Sequence, residues 1–309
     1  MTVAFDPSPV TGVVADWEDA VEARSDPPTK LVITRVHREP TWGRHLAAGG
    51  KQLSRTNPAG DFDYDRNGAR YSLRRAADPR IADHIHAALA DARTVLNVGA
   101  GSGSYEPTDR YVAAVEPSAI MRGQRPPHLC PAIDATAEQL PFDDATFDAV
   151  MAINTIHHWP DPARGLAEMS RVSRKVVLIL TFDPEVWTSM WLAQYSPELT
   201  AVTCRRIPRI SDMSAVLGDD VAVTLVPIPI DCVDGFIEAY YARPESFLSD
   251  DIRQAQSGWG LIGADAERQA VNALRVDLES GAWDQRFGHL RRLPAYEGSL
   301  RLVVARTGP

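Results

Sequence analysis

The sequence has few cysteines. Only Cys130, Cys204 and Cys232 occur in 309 residues, and no two of them form a CxxC pair. This spacing provides neither the paired ligands of a structural zinc site nor a disulfide framework. We therefore predict three reduced thiols and no metal site.

The sequence also lacks a long apolar run. No stretch approaches the roughly 18 apolar residues that a membrane-spanning helix needs, and the first residues show no basic segment followed by an apolar one, as a secretion signal would. We therefore predict no membrane partner and a cytoplasmic location.

Basic residues are outnumbered by acidic ones. The chain has 32 Lys and Arg against 41 Asp and Glu, a formal net charge of −9. Nucleic-acid-binding proteins usually carry a basic face, so the composition disfavours a nucleic-acid partner, although a local basic patch can lie within an acidic total.

Residues 1–60 differ from the rest of the chain. They are rich in Pro, Gly and Ser, as in "FDPSPVTG" and "SDPPTK", so we predict an N-terminal arm that is either partly disordered or folds over the core as a lid. We assign residues 61–309 to one domain, with two helical, aromatic-rich insertions at about 184–215 and 231–295.

Apolar runs alternate with helical patterns between residues 94 and 182. The runs are "TVLNVG", "YVAAVE", "CPAID", "FDAVMAIN" and "KVVLILTF", and two more follow at 221–231 and 298–307. Strands that are apolar on both faces and alternate with helices indicate a parallel, doubly wound sheet. The pattern therefore predicts an α/β core.

The first apolar run leads into three glycines, Gly99, Gly101 and Gly103. In open α/β sheets ligands bind at the carboxyl ends of strands, and glycine lets the backbone approach a ligand closely. The spacing is not G-x-G-x-x-G, and Pro107 argues against a long helix after the loop. The loop therefore suits a small zwitterion better than a pyrophosphate.

Acidic residues end the next two runs. Glu116 lies 17 residues after Gly99, where a carboxylate can accept both hydroxyls of a ribose. Alternatively, Glu116 is simply a surface carboxylate at the end of a strand. Asp134 ends the third run, where a carboxylate can accept from an adenine amino group.

Residues 94–182 resemble the core of a class I S-adenosylmethionine-dependent methyltransferase of the small-molecule, type 11 kind. The resemblance rests on "VLNVGAGSG", "AVEPS", "DATAEQLPFDDATFDAV" and "INTIHHW", in this order. It implies a Rossmann-like, doubly wound, mostly parallel seven-stranded sheet with an antiparallel last strand and a helical cap. It also implies methyl transfer from S-adenosylmethionine to a small molecule, which leaves S-adenosylhomocysteine.

The resemblance also implies which residues bind the cofactor. The glycines would shape the pocket for its methionine part, Glu116 would hold the ribose, and residues 154 and 155 would line the site near the donor methyl. Two residues before the core would face its carboxylate, with Arg75 adjacent and a surface ion pair as the alternative. Asn97 stands where this family very often has an aspartate. The predicted set is Tyr71, Arg74, Gly99, Ala100, Gly101, Gly103, Glu116, Pro117, Ser118, Asp134, Ala135, Asn154 and Thr155.

His157 and His158 follow the fourth strand. A sulfonium donor is already activated, so alignment is the main requirement, and a base is needed only if the acceptor loses a proton early. A neutral imidazole here can deprotonate a hydroxyl or a phenol. The alternative is that both histidines pack under the loop with Trp159.

The two insertions carry most of the aromatic residues. We predict that Trp187, Trp191, Tyr240 and Tyr241 bind the acceptor, although aromatic residues at helical spacing are also typical of a core. A small, phenolic or secondary-metabolite acceptor is our hypothesis.

Two other functions share part of the pattern. A nicotinamide-dependent oxidoreductase would have glycines and an acid after the second strand, but normally with G-x-G-x-x-G and a full helix. A noncatalytic paralogue that binds S-adenosylmethionine would carry the same motifs as the enzyme. A nucleic-acid methyltransferase is disfavoured because no N-P-P-Y-like motif follows the fourth strand, which continues as "NTIHHW".

Overall fold

A six-stranded sheet organises the part of the chain that the computed structural model describes, residues 75–307. The predictions for residues 1–60, Tyr71 and Arg74 lie outside these residues. The strands described are β1 (Thr94–Val98), β2 (Tyr111–Val115), β3 (Phe147–Ile153), β4 (Ser173–Phe182), β5 (Val221–Leu225), β6 (Ile228–Pro229), β7 (Ala295–Tyr296) and β8 (Leu300–Arg306). The large sheet has the order β2-β1-β3-β4-β8-β5, and β6 pairs with β7 separately.

The sheet is parallel except at one side. Strands β2, β1, β3 and β4 are parallel to one another, whereas β8 runs antiparallel to both β4 and β5. The central strands are apolar on both faces because helices cover both, and Val95, Leu96 and Met151 are fully buried. The predicted mostly parallel α/β fold with an antiparallel last strand is confirmed.

The predicted strand count of seven is one too high for this sheet. In the third predicted strand only Ile133 pairs, through an isolated parallel bridge to Val115. Pro131 lies in this run and has no N–H for a ladder hydrogen bond. The predicted strand at 221–231 divides at Pro227 for the same reason, and its second part pairs with β7.

Helices fill the connections between the strands. They are α1 (Pro79–Ala88), α2 (Ala119–Gly123), α3 (Pro162–Val172), α4 (Pro184–Trp187), α5 (Leu192–Tyr195), α6 (Pro197–Arg206), α7 (Ile210–Leu217), α8 (Asp250–Gln254), α9 (Ala264–Ser280) and α10 (Ala282–Phe287). Helix α1 begins where the Asp78 side chain accepts from the Arg80 amide, and it buries Ile81 and Ile85. Among the described residues, no helix has the length and apolarity to cross a membrane.

The helices after β4 and after β6 enclose an aromatic core. Trp283 is fully buried, and its ring meets the Trp191 ring edge to face with centroids 5.5 Å apart. Trp191 packs in the same way on Phe247, at 5.8 Å. Such pairs contribute about 0.5–1.5 kcal/mol each beyond the burial of their apolar area.

Glu238 is a carboxylate buried in this region. It is 1% exposed and accepts hydrogen bonds from the Ser299 amide at 3.0 Å and the Ser299 hydroxyl at 2.7 Å. Burial raises its pKa from 4.5 to about 7, against the lowering effect of the Ser299 hydrogen bonds.

Replacing Glu238 by Gln is expected to remove a pH dependence of stability. Between pH 4.5 and about 7 the folded protein keeps the Glu238 proton that the unfolded chain has lost. The free energy of unfolding of the wild type therefore falls as the pH rises through this interval, by up to about 3 kcal/mol. Urea denaturation at about pH 4.5 and about pH 7.5 measures the change.

The exposed Glu185 offers a matched control. The Glu185→Gln variant should keep the wild-type slope. A Glu238→Gln variant with the same slope as the wild type would show that another group causes the pH dependence.

Candidate functional site

An open cavity lies at the carboxyl ends of β1, β2 and β3, and it has a volume of about 880 Å³ together with the solvent at its mouth. We call it the first cavity. In a parallel sheet these strand ends meet at one edge, so short segments distant in sequence form one wall. The predicted site residues that line it are Gly99, Ala100, Gly101, Glu116, Pro117, Asn154, Thr155 and His158.

The glycine loop needs its glycines for two physical reasons. Gly99, Gly101 and Gly103 have φ angles of +64°, +52° and +91°, in the left-handed region that disfavours side chains. A Cβ on Gly99 would also lie 2.2 Å from Thr155 Oγ1, and one on Gly103 would lie 2.3 Å from Leu129 Cδ1. The loop therefore presents bare backbone to the cavity.

Glu116 holds the loop against the end of β2. One carboxylate oxygen accepts from the Gly101 amide and the other from the Ser118 amide, both at 2.9 Å. Burial raises the pKa of Glu116, although these two amides favour its charged form. A carboxylate offers about four acceptor positions, so two remain for ligand hydroxyls after the backbone bonds.

Two asparagines place polar atoms at the ends of their strands. Asn97 is 1% exposed, and its amide donates to Glu106 at 2.9 Å. Asn154 has a φ of +51°, unusual for a residue with a side chain, and its backbone amide is tied to the Leu180 carbonyl. Within residues 75–307, Asn97 Oδ1 and both amide atoms of Asn154 have no hydrogen-bond partner. Buried polar atoms that lack hydrogen-bond partners indicate that a ligand binds beside them.

An ion-pair network positions Arg75 at the cavity. Its Nε donates to Asp234 at 2.5 Å, and the Tyr105 hydroxyl donates to the same carboxylate at 2.9 Å. The Asp78 amide donates to the Tyr105 hydroxyl at 3.3 Å. The predicted Arg74 lies outside the described residues, and Arg75 was named only as its neighbour. Asp234 was not predicted, because it lies 159 positions from Arg75 in the sequence. Sequence spacing alone offered no signal for this pair.

A second open cavity, of about 580 Å³ together with the solvent at its mouth, adjoins the first. Arg75, Asn154 and His158 line both cavities, so these three side chains form the boundary between them. The other walls come from the end of β4, the helices after it and the 3₁₀ segments after β6. They are His157, Phe182, Trp187, Thr203, Arg206, Ile207, Phe236, Ile237, Gln256, Ser257 and Gly258.

The two histidines lie on a short 3₁₀ helix, Ile156–His158, with ring centroids 4.1 Å apart. Burial lowers the pKa of His157 to about 3, and the positive charges of Arg206 and Arg75 add to this. Burial likewise lowers the pKa of His158, whose Nδ1 accepts from Arg206 at 2.9 Å. Both rings are therefore neutral at pH 7 and act as hydrogen-bonding groups, and with such a low pKa each is a weak base.

Several predicted cofactor-binding residues lie elsewhere in the described structure. Ser118 caps α2, where its hydroxyl accepts from the Met121 amide at 3.2 Å. Asp134 is 70% exposed and pairs with Arg122 at 3.0 Å. Gly103 and Ala135 do not line the first cavity, although Ser102 and Ser104 on either side of Gly103 and Thr136 after Ala135 do. Cofactor binding by Ser118, Asp134, Gly103 and Ala135 stays a prediction, because none of these residues lines the first cavity.

The predicted substrate-binding residues divide in the same way. Trp187 lines the second cavity. Trp191 instead donates to the Tyr241 carbonyl at 2.8 Å, and the Tyr241 hydroxyl donates to the Leu293 carbonyl at 2.7 Å. Tyr240 is 7% exposed and packs on Phe247. These three side chains belong to the core and line neither cavity, because aromatic residues at helical spacing face the interior of the cap.

Comparison with known proteins identifies relatives of the segment that builds the first cavity. Residues 96–180 match a family described as a methyltransferase domain. An uncharacterized methyltransferase of Mycobacterium tuberculosis (strain H37Rv) is 39% identical over 95 residues, 28% of this chain and 37% of that protein. A 2-methyl-6-phytyl-1,4-hydroquinone methyltransferase of Spinacia oleracea is 30% identical over 116 residues, 33% of this chain and 34% of that protein. The alignments thus span little more than a third of these curated relatives.

A solved structure extends the similarity beyond this segment. It is described as a methyltransferase from an antibiotic biosynthesis pathway of Anabaena variabilis, and it matches with a TM-score of 0.69 and 28% identity. The match covers 75% of this chain and 98% of that one. The shared fold therefore includes the helical insertions as well as the sheet.

Proposed function

This chain belongs to the class I S-adenosylmethionine-dependent methyltransferases, and we propose that it transfers a methyl group from S-adenosylmethionine to a small-molecule acceptor. One observation carries the proposal. The first cavity joins a glycine loop of bare backbone to a buried carboxylate, Glu116, at the carboxyl ends of adjacent parallel strands.

The residues of the first cavity fit this cofactor. Gly99 and Gly101 present backbone without side chains to the cavity, and Glu116 has acceptor positions for two ribose hydroxyls. The guanidinium of Arg75 suits the carboxylate of the methionine part. Within residues 75–307, Asn97 Oδ1 and both atoms of the Asn154 side-chain amide have no partner, so they offer two acceptors and a donor to its polar groups.

Alignment is the main contribution of the chain to the reaction. S-adenosylmethionine supplies, when bound, a methyl group that is already activated. The protein must orient the acceptor atom toward that methyl and exclude water. Asn154 and His158 stand at the boundary of the two cavities, where acceptor and donor would meet. His157 is the candidate to accept a hydrogen bond from the acceptor, because its Nδ1 has no partner within residues 75–307. His158 accepts from Arg206 at Nδ1, so its neutral ring carries the proton on Nε2 and can only donate there.

Titration with two ligands tests the cofactor. We expect S-adenosylhomocysteine to bind the full chain with micromolar affinity in isothermal titration calorimetry, and NAD to show no binding. The reason is that residues 104–110 after the loop form turns and bends, so no helix N-terminus points at a pyrophosphate.

Tight NAD binding without binding of S-adenosylhomocysteine would favour an oxidoreductase instead. Release of S-adenosylhomocysteine from S-adenosylmethionine in the presence of an acceptor separates the enzyme from a noncatalytic paralogue, which would bind the cofactor and release none.

A further inference from the structure

The second cavity holds several buried polar atoms that lack partners. Gln256 is 4% exposed, and neither atom of its side-chain amide has a hydrogen-bond partner within residues 75–307. The same holds, over this described range, for Thr203 Oγ1, His157 Nδ1 and the Asn154 amide. A buried polar group without a hydrogen bond destabilises the fold, because it has lost its water without gaining another partner. Four such residues around one cavity are explained most simply if a ligand completes their hydrogen bonds.

The position of this cavity matches that of a methyl acceptor. It meets the first cavity at Asn154, His158 and Arg75. A molecule that fills it would therefore present one end to the bound cofactor. Its opposite end would lie among residues of the two helical insertions, Thr203 on α6 and Gln256 after α8.

One wall of the cavity is aromatic. The rings of Phe182 and Trp187 meet edge to face with centroids 5.4 Å apart, and the Phe236 ring lies 5.5 Å from that of Phe182. Ile207 and Ile237 extend the apolar surface. Such a wall favours a flat, apolar body in the ligand, because offset and edge-to-face contacts stabilise an added ring.

The polar groups restrict the chemistry of the ligand. Arg75 and Arg206 line this cavity and can attract a carboxylate, but Arg75 already donates to Asp234 and Arg206 to His158. The amide oxygens of Gln256 and Asn154 only accept, and a carboxylate has no proton to donate to them at neutral pH. An ammonium would meet the guanidinium groups of Arg75 and Arg206, and no Asp or Glu of the described residues lines this cavity. A hydroxyl both donates and accepts without charge, and it suits every one of these groups.

We propose that the second cavity binds the methyl acceptor as a neutral hydroxylated aromatic ring. The ring lies against Phe182, Trp187 and Phe236, and Gln256 and Thr203 select for its hydroxyl groups. This proposal rests on the proposed function, since it assigns the acceptor of the same reaction.

Binding of three matched probes to the full chain saturated with S-adenosylhomocysteine tests the proposal. The probes are 1,4-hydroquinone, benzoate and benzylammonium, and quenching of tryptophan fluorescence, to which Trp187 contributes, follows their binding. We expect 1,4-hydroquinone to bind at least about tenfold more tightly than either charged probe, because only hydroxyls satisfy the amide oxygens. Gln256→Leu and Thr203→Val should each weaken its binding by about tenfold.

Matched controls separate this result from general damage. Gln254 is exposed, two residues before Gln256, so Gln254→Leu should leave 1,4-hydroquinone binding unchanged. All variants should bind S-adenosylhomocysteine like the wild type, which also confirms their folding. If the wild type binds S-adenosylhomocysteine but prefers a charged probe, or binds none of the three at millimolar concentration, the acceptor proposal is overturned while the proposed function stands. If S-adenosylhomocysteine itself does not bind, the proposed function fails and the acceptor proposal with it.

Discussion

Replacing Glu116 by Ala is expected to weaken the binding of S-adenosylhomocysteine by about 100-fold. The substitution removes the acceptors for two ribose hydroxyls. It also leaves the Gly101 and Ser118 amides, each 2.9 Å from the carboxylate, without their partner, which loosens the loop. Hydrogen bonds to a charged group contribute about 1.5–3 kcal/mol each, so the loss of two accounts for this factor. Isothermal titration calorimetry measures it directly.

Two further variants show whether the carboxylate itself is responsible. Glu116→Gln keeps one acceptor oxygen and no charge, so its affinity should lie between those of the wild type and Glu116→Ala. Glu185→Ala changes an exposed glutamate on α4 and should bind like the wild type. Wild-type affinity in Glu116→Ala would remove Glu116 from the cofactor site.

Replacing Gly99 by Ala is expected to have a comparable effect on binding and to lower stability as well. The new Cβ would lie 2.2 Å from Thr155 Oγ1, so either the loop or Thr155 must move. The φ of +64° adds about 1–2 kcal/mol of backbone strain for a residue with a side chain. Calorimetry should give a loss of about 100-fold in affinity for S-adenosylhomocysteine, and urea denaturation a lower free energy of unfolding.

Gly123 provides the matched control for this substitution. It ends α2, has an ordinary φ, and a Cβ placed on it meets no atom within 4 Å. Gly123→Ala should therefore bind and unfold like the wild type. An intact affinity in Gly99→Ala would mean that the loop does not approach the ligand as closely as the proposed site requires.

The half of the site that we propose for the cofactor was predictable because its signals are local. Gly99, Gly101, Glu116 and Asn154 each follow directly after an apolar run, and parallel pairing brings the ends of such runs to one edge. The exceptions are also local in origin. Ile133 forms only a bridge because Pro131 precedes it, so the sheet has six strands instead of the predicted seven.

The spacing of the aromatic residues left open whether they line a pocket or fill a core, and their burial in the structure distinguishes the two. Tyr240, Tyr241 and Trp191 had the composition of a binding surface, but their rings fill the interior of the insertions. A sequence pattern cannot distinguish an aromatic side chain that faces a pocket from one that faces another ring, since both lie on the apolar side of a helix.

The sequence by itself determined the family, most of the strands of the sheet and the acidic and glycine positions that line the first cavity. These depend on short motifs whose geometry is set by neighbouring residues. Only the tertiary structure decided the second cavity and the Arg75–Asp234 pair. Their members come from segments separated by tens to more than a hundred residues, without a shared period, and only packing of the insertions on the sheet places Thr203 and Gln256 opposite Asn154.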